Sequence, residues 1–490
     1  MTRPARSWLT TTAAWILFAA VAGAPLPFGS ASASAIAFWC IVLGLATAMA
    51  APRETDRRHL ALIAMAALVV AGYALVLHEQ LSGHPWFAAP HPLWHEAAAA
   101  LGVPLDPSVS IARNQPFFAL GSPLCCMLAL TGSFLVCTDR RRARDLLRVV
   151  AWSGVAYAGY GIAAHLIDPG RILWREKEAY LAVATSTFIN RNTAAVYFGS
   201  CATVWLVLLS EQVRRHLPAG EIAWRRVPSR LFHEPPGAIV LSFAMLLLCL
   251  AAMFMTGSRA GVVISLMALI VAFTLYFRRD LPPRTGVITA LIGGAAAAVV
   301  LLQFMGGGVS ARIDLEGVAD TGRLATWRST LRMIADHPWF GTGQGTFEWA
   351  FPAYRGAQVS MWGIWDRAHS TPLELAADMG LPLAGLVVLG WIVMFAVLVW
   401  GVRTRRRDLI VPVCGLSVAM LGVVHSLIDF SLQIPGYAIP AFALIGAGLA
   451  QSFSSGHNGR RNGSGRANSH AASDISATIP DYKAPDTDSG

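Results

Sequence analysis

Residues 237–277 read GAIVLSFAMLLLCLAAMFMTGSRAGVVISLMALIVAFTLYF. Two apolar runs flank a short polar stretch around Thr256-Gly257-Ser258-Arg259. About 20 apolar residues is the length of helix that crosses a bilayer. The stretch therefore predicts two spanning helices, 237–256 and 260–277, joined by little more than a turn. An arginine in such a turn lies near membrane depth, where an unpaired charge costs about 2.5–3.5 kcal/mol on insertion scales. Arg259 needs a partner, and an anionic ligand is one candidate.

The same pattern repeats along the chain. Further spans are expected near 8–25, 36–51, 59–78, 116–137, 147–166, 192–210, 286–305, 381–401, 409–427 and 437–453. Composition agrees: 55% of the 490 residues are hydrophobic and only 13% are charged, roughly half the charged share of a soluble domain. The expected fold class is an all-α polytopic membrane protein, with about 12 transmembrane helices and a large helical periplasmic loop. A transmembrane domain covers 1–453, the loop within it covers 306–380, and the Ser-, Gly- and Asn-rich stretch 454–490 reads as a disordered cytoplasmic tail.

The formal charge of +10 raises the question of a nucleic-acid partner. The arginines and lysines are dispersed over short gaps instead. About two thirds of the 38 fall in alternate gaps (around 3–6, 53–58, 140–148, 214–230, 278–284, 403–407 and the tail), as the positive-inside rule requires of cytoplasmic connections. No nucleic-acid partner is expected; the lipid bilayer is. Both termini are expected on the cytoplasmic side of the membrane. Arg3, Arg6 and Ala31-Ser32-Ala33 imitate a signal peptide, but a retained first span is the expectation. The seven cysteines lie in or beside apolar runs without metal spacing, so neither a disulfide nor a metal is expected.

The loop at 306–380 has helix signals of its own. Leu324, Trp327, Leu331 and Ile334 recur at helical spacing and predict an apolar face over 321–335. Arg328 and Arg332 share another face. Asp336-His337-Pro338 ends that helix, since a residue before proline avoids the α region. Gly341, Gly343 and Gly345 predict a flexible turn. Thr371 and Glu374 have capping-box spacing with Pro372 at the first helical position, so a second helix starts there with His369 just outside its positive end. Arg191, within Asn190-Arg191-Asn192, marks the outer start of the 192–210 span. His425 and Asp429, four apart near the last outer loop, form either a polar contact between spans or part of a site. Trp339, Trp349, Trp362 and Trp365 belong at the membrane interface or against a sugar ring.

Six of these segments stand in one order: Thr-Phe-Ile-Asn-Arg-Asn (187–192), Thr-Gly-Ser-Arg-Ala-Gly (256–261), Gly-Arg-Leu-Ala-Thr-Trp (322–327), Asp-His-Pro-Trp-Phe-Gly-Thr-Gly (336–343), Ala-His-Ser-Thr-Pro-Leu-Glu-Leu (368–375) and Asp-Met-Gly-Leu (378–381). The set resembles the O-antigen ligase / O-antigen polymerase superfamily over about 180–450. The resemblance implies a donor glycan on undecaprenyl diphosphate, transferred to an acceptor hydroxyl on a glycan or on lipid A core at the periplasmic face. It carries the family's essential arginines onto Arg259 and Arg323 and its essential histidine onto His369. The residue after that histidine is commonly Asn; here it is Ser370. Arg191, Asn190, Asn192, Arg328 and Glu374 are the expected substrate-binding residues.

The chemistry fits these residue types. Arginine stays protonated and matches phosphate oxygens with a fork of donors. Two of them stabilise a diphosphate leaving group without a metal, and no cofactor is expected. Histidine takes the proton of the incoming hydroxyl near neutral pH, and in-line attack inverts the anomeric carbon. The Asn-Arg-Asn and His425–Phe430 segments lean toward polymerisation of repeat units. Ligation to lipid A core and protein O-glycosylation are the alternatives within the class. A lipid-linked glycan flippase is the alternative outside it, but it calls for charged residues along a central cavity and two related halves, neither of which is visible.

The topology is directly testable. A reporter inserted near residue 340 is expected on the periplasmic side and one near 405 in the cytoplasm. A cytosolic reporter at 340 ends the whole reading.

Overall fold

The computed structural model describes residues 3–52, 55–216, 236–281, 285–305, 307, 321–405 and 408–453. The expected tail 454–490, most of the basic gap 217–230 and the loop's first residues up to 320 lie outside the described residues.

Every expected span coincides with helix. The helices are α1 (Arg3–Gly23), α2 (Ala33–Met49), α3 (Arg57–Leu81), the short α4 (Leu93–Leu101) and α5 (Gln115–Ala119), α6 (Gly121–Val136), α7 (Arg140–Ile167) and α8 (Arg191–His216). They continue as α9 (Gly237–Met255), α10 (Arg259–Phe277) and α11 (Gly286–Met305). The loop holds α12 (Thr321–Asp336), α13 (Phe347–Tyr354) and α14 (Thr371–Met379), and α15 (Leu381–Thr404), α16 (Ile410–Ser426) and α17 (Pro435–Ser452) complete the chain. A two-stranded antiparallel hairpin pairs Arg171 with Glu176. Among the described residues, eight helices are long and apolar enough to cross a membrane, with α5 and α6 counted together. The α1 segment Trp8–Gly23, α2 and α16 are apolar but shorter. The number of qualifying spans is thus eight, where about 12 were expected.

The bundle is organised around α8, whose apolar window is 83% buried, while that of α11 is 0% buried and its side chains form an outer surface. Nearly every residue of α17 is buried as well. Between lipid-embedded helices no hydrophobic gain drives association, so small residues that let backbones approach do the work. A Cβ at Gly199 of α8 would fall 2.0 Å from Ser265 Oγ of α10, and one at Gly415 of α16 would meet Gly448 of α17 at 3.0 Å.

The two ends of the bundle differ in charge. At one end, Arg144 pairs with Glu211 at 2.9 Å and Asp408 at 2.7 Å, and Arg214 pairs with Asp280 at 3.2 Å, tying α7, α8, α10 and the α15–α16 connection. At the other end lies the loop. Its helices close over a small apolar core of Met333, Ile334, Phe347, Phe351, Val359 and Ala377.

Two expectations for the loop are corrected. Helix α12 has its predicted bounds to within a residue, but its buried face is Ala325, Thr326, Ser329, Thr330, Met333 and Ile334, while Leu324 and Leu331 are exposed. Hydrophobic spacing located the helix; the neighbours selected a small, polar face. The glycine turn is pinned rather than flexible. Gly341, Gly343 and Gly345 have φ of 66°, 115° and 69°. Thr342 N and Gly343 N donate to the carbonyls of Ala377 and Asp378 at 3.0 and 3.1 Å. A Cβ at Gly341 would sit 2.3 Å from the Asp378 carbonyl oxygen, so only glycine allows this approach. Gln80 of α3 staples the turn from below: Nε2 donates to Phe340 O and Asp378 O at 2.7 and 2.8 Å, and Oε1 accepts from Gln344 N at 2.9 Å.

The α8–α10 contact yields a stability prediction. Gly199→Leu overpacks it and is expected to cost about 1–3 kcal/mol, read as a lower thermal midpoint in detergent. Adding Ser265→Gly is expected to restore part of the loss. Unchanged melting of the single variant contradicts the close approach.

Candidate active site

The starts of α8 and α10 meet the end of α16 at the loop end of the bundle. Asn190 Oδ1 accepts from the backbone of Asn192 and Thr193 at 2.7 and 3.3 Å, which caps α8. Ser258 caps α10, its Oγ accepting from Gly261 N at 3.2 Å. The same hydroxyl donates to Asn192 Oδ1 at 2.8 Å. Asn192 Nδ2 in turn donates to Asp429 Oδ2 at 2.5 Å. One hydrogen-bonded chain thus joins both helix starts to Asp429.

Asp429 lies just beyond α16, with its side chain 2% exposed. Its Oδ1 accepts from Phe430 N at 2.8 Å. Two residues of the loop converge on it. Arg323, in the first turn of α12, donates to Ile428 O at 2.7 Å and places Nη2 3.6 Å from Asp429 Oδ2. His369, two residues before α14, has Nδ1 3.5 Å from Asp429 Oδ1. That is close enough for an ion pair but too long for a well-formed hydrogen bond. The imidazole stands between Trp365 and Phe430, with ring centroids at 5.8 and 5.2 Å. The backbone of His369 is left-handed, φ 51°, a conformation that costs a non-glycine residue about 1 kcal/mol or more and recurs at functional sites. Thr371 Oγ1 donates to Asp429 O at 3.2 Å and fixes the start of α14 against the same corner.

Burial pushes the Asp429 carboxyl up. The contact with His369 and the charges of His425 and Arg323 outweigh it and hold the group at about 2. Asp429 is therefore an anion throughout the physiological range, and its charge is answered from three separate elements.

Beside this corner sits a second acidic pair. Glu374 is buried, 3.2 Å from Arg367 Nη1, and accepts from Ala368 N at 2.9 Å. These contacts replace the expected capping box, because Ser370 rather than Thr371 precedes the helix and its side chain makes no cap bond. Arg367 also donates to Gln433 Oε1 at 2.8 Å. Asp378, one turn on, accepts from Gly345 N at 2.8 Å. Burial raises both carboxyls, and the neighbouring Glu374 raises Asp378 further.

The expected site residues fall into groups. Asn192, Arg323 and His369 meet at Asp429. Arg259 follows Ser258 at the first position of α10, one link away. Arg191 lies over the Tyr180 ring at 4.9 Å, beside the Asn190 cap. Glu374 holds the His369 segment through Arg367 and Ala368. Arg328 is exposed on α12 and, among the described residues, has no side-chain partner. Asp429 itself was legible only as one half of an ambiguous His425/Asp429 pair. The structure puts it at the centre and leaves His425 buried one turn below, with neither ring nitrogen hydrogen-bonded among the described residues.

No curated protein matches the chain. Residues 244–388 match the family model described as O-Antigen ligase. The matched stretch contains Arg259, Arg323 and His369 and ends before Asp429. Over these residues the chain is similar to the O-antigen ligase family, which supports the resemblance to the O-antigen ligase/polymerase superfamily.

Proposed function

We propose that this protein transfers a glycan from undecaprenyl diphosphate to an acceptor hydroxyl at the periplasmic face of the bacterial inner membrane, with inversion and without a metal. The observation that carries the reading is the convergence of Arg323, His369 and Asn192 on the buried Asp429 carboxylate.

Asp429 faces the Nδ1 side of His369 at 3.5 Å and favours a proton there, which leaves Nε2 as the basic nitrogen. Nε2 takes the proton of the acceptor hydroxyl as its oxygen attacks the anomeric carbon. The bond from that carbon to the phosphate oxygen breaks, and its electron pair leaves with undecaprenyl diphosphate. Charge grows on the leaving oxygen, where Arg323 and Arg259 supply donors. Asp429 acts as a positioning residue: it orients the imidazole and stabilises the imidazolium. The 3.5 Å separation is expected to tighten when substrate is bound.

Polymerisation of repeat units is the activity we favour. Of the two segments that pointed to it, Asn190–Asn192 and His425–Phe430, each contributes one side of the 2.5 Å Asn192–Asp429 bond. Ligation to lipid A core is the alternative.

Deleting the gene and following envelope glycan on gels tests the class. Loss of long chains with single repeats still capping lipid A supports polymerisation; loss of all capping supports ligation. In complementation, His369→Ala is expected to lower transfer about 10²–10⁴-fold, and Arg323→Lys about 10²-fold. Full activity of His369→Ala refutes the base assignment. Asp429→Asn keeps the shape of the side chain but removes the anion that faces His369 and Arg323. In purified enzyme kcat is expected to fall with donor KM little changed, and an unchanged kcat removes Asp429 from the mechanism.

A further inference from the structure

The outer segment 82–114, between α3 and α5, lies against the loop. Ile111 N donates to Thr342 O at 2.9 Å, and a Cβ at Gly343 would fall 2.1 Å from Ser110 Oγ. One contact in this interface has chemistry that the proposed reaction does not use. His91 Nε2 lies 3.3 Å from His337 Nε2, with ring centroids 4.7 Å apart and 33° between planes. His337 directly follows α12, whose first turn carries Arg323.

The partners dictate the tautomers. Leu93 N donates to His91 Nδ1 at 3.1 Å, so that nitrogen is bare. The proton of a neutral His91 is then on Nε2 and donates to His337, whose Nε2 is bare and whose Nδ1 holds its proton. Both bare nitrogens are occupied as acceptors. A proton added to His91 breaks the bond from Leu93. A proton added to His337 sets two N–H groups face to face. The contact exists only between two neutral rings.

The charged groups facing the pair are Glu96 on α4 and Asp336 at the end of α12; Asp336 also faces Tyr354 of α13. Both carboxylates favour protonation. Half-burial outweighs them, and for His91 the adjacent His337 adds to it, so both rings lie below the ordinary value of 6.5. The sign follows. Once the segment is released, the rings bind protons more readily than in the closed form, so the contact is fully present above that value and lost as pH falls below it.

We infer that His91 and His337 form a proton-operated latch that clasps the outer segment to the end of α12 near neutral pH and frees it on acidification. Release breaks the Ile111–Thr342 bond and exposes the turn at Gly343, which sits on the C-terminal end of α14. The latch therefore acts on both helices whose starts carry the proposed site residues, Arg323 and His369.

Hydrogen–deuterium exchange of the full-length protein in lipid nanodiscs tests this at pH 7.5 and 5.0, corrected for intrinsic rates. Chelator is present throughout, so that a divalent metal held between the two imidazoles cannot be the cause. Peptides within 88–114 are expected to exchange about tenfold faster at pH 5.0, and peptides of α8 and α17 unchanged. The double variant His91→Gln/His337→Gln, which cannot titrate there, is expected to lose the pH response. Should it misfold, His91→Phe/His337→Phe keeps two rings in contact with neither titrating group and makes the same test. Equal wild-type protection at both pH values overturns the latch, as does a full acid response in either variant. The readout is independent of glycosyl transfer, so it stands or falls apart from the proposed reaction.

Discussion

A carboxylate held 2% exposed at the end of a membrane bundle is the constraint on which the site depends. Buried charges survive only when paired and hydrogen-bonded, and removing one partner of such a group costs about 3–5 kcal/mol. Asp429 collects its partners from α8, the start of α12 and the segment before α14, positions up to 237 residues away in sequence. Lifting the loop from the bundle takes Arg323 and His369 away from that anion and leaves it to Asn192 and the Phe430 amide. Pairing a buried Asp with a histidine and an arginine thus does two things at once: it fixes the loop over the helix ends and it sets the geometry of the two side chains proposed to carry the chemistry.

The loop is held a second time, from the opposite side, and by a different kind of interaction. Gln80 reads two carbonyls and one N–H of the glycine turn and the end of α14. Its amide is neutral, so this anchor is insensitive to protonation, whereas the outer segment beyond it rests in part on two imidazoles. The loop therefore has one anchor built on charge, one on neutral amide bonds and one on titratable rings.

Much of the helix inventory was legible, because a run of apolar residues is a property of the chain itself. The bounds of α12 and the start near Thr371 followed from spacing and from proline for the same reason. The face that α12 buries was not legible. Leu324 and Leu331 form the more apolar stripe, yet a loop helix over a polar corner buries Thr326, Ser329 and Thr330, whose side chains tolerate close backbone contact. The capping box failed in a similar way: Glu374 found an arginine and a backbone N–H outside its own helix. Asp429 was the largest gap. Its role depends on Asn192 and on the loop, and no periodicity in α16 records a partner that far away. The arginines and the histidine could be nominated from the sequence; the anion that gathers two of them could not be singled out.

The placement of the arginines bears on what the corner receives. Arg191 and Arg259 occupy the first positions of α8 and α10, and Arg323 lies in the first turn of α12. A helix start carries about half a positive charge, and a cation there is unfavourable by roughly 0.3–1 kcal/mol. Helix stability alone would select Asp or Glu at such places. Three arginines stand at three converging helix starts, and a diphosphate is an anion of the size that such a corner suits. The same geometry argues against a path through the membrane. Ionisable side chains of the described spans gather toward the helix ends, as Arg144 and Glu211 do at one end and Arg259 at the other, while α9 and α11 have none. A carrier needs polar groups at mid-depth to solvate its cargo in transit. A transferase that leaves the lipid tail in the bilayer and works on the headgroup needs them only at the surface, which is where they are.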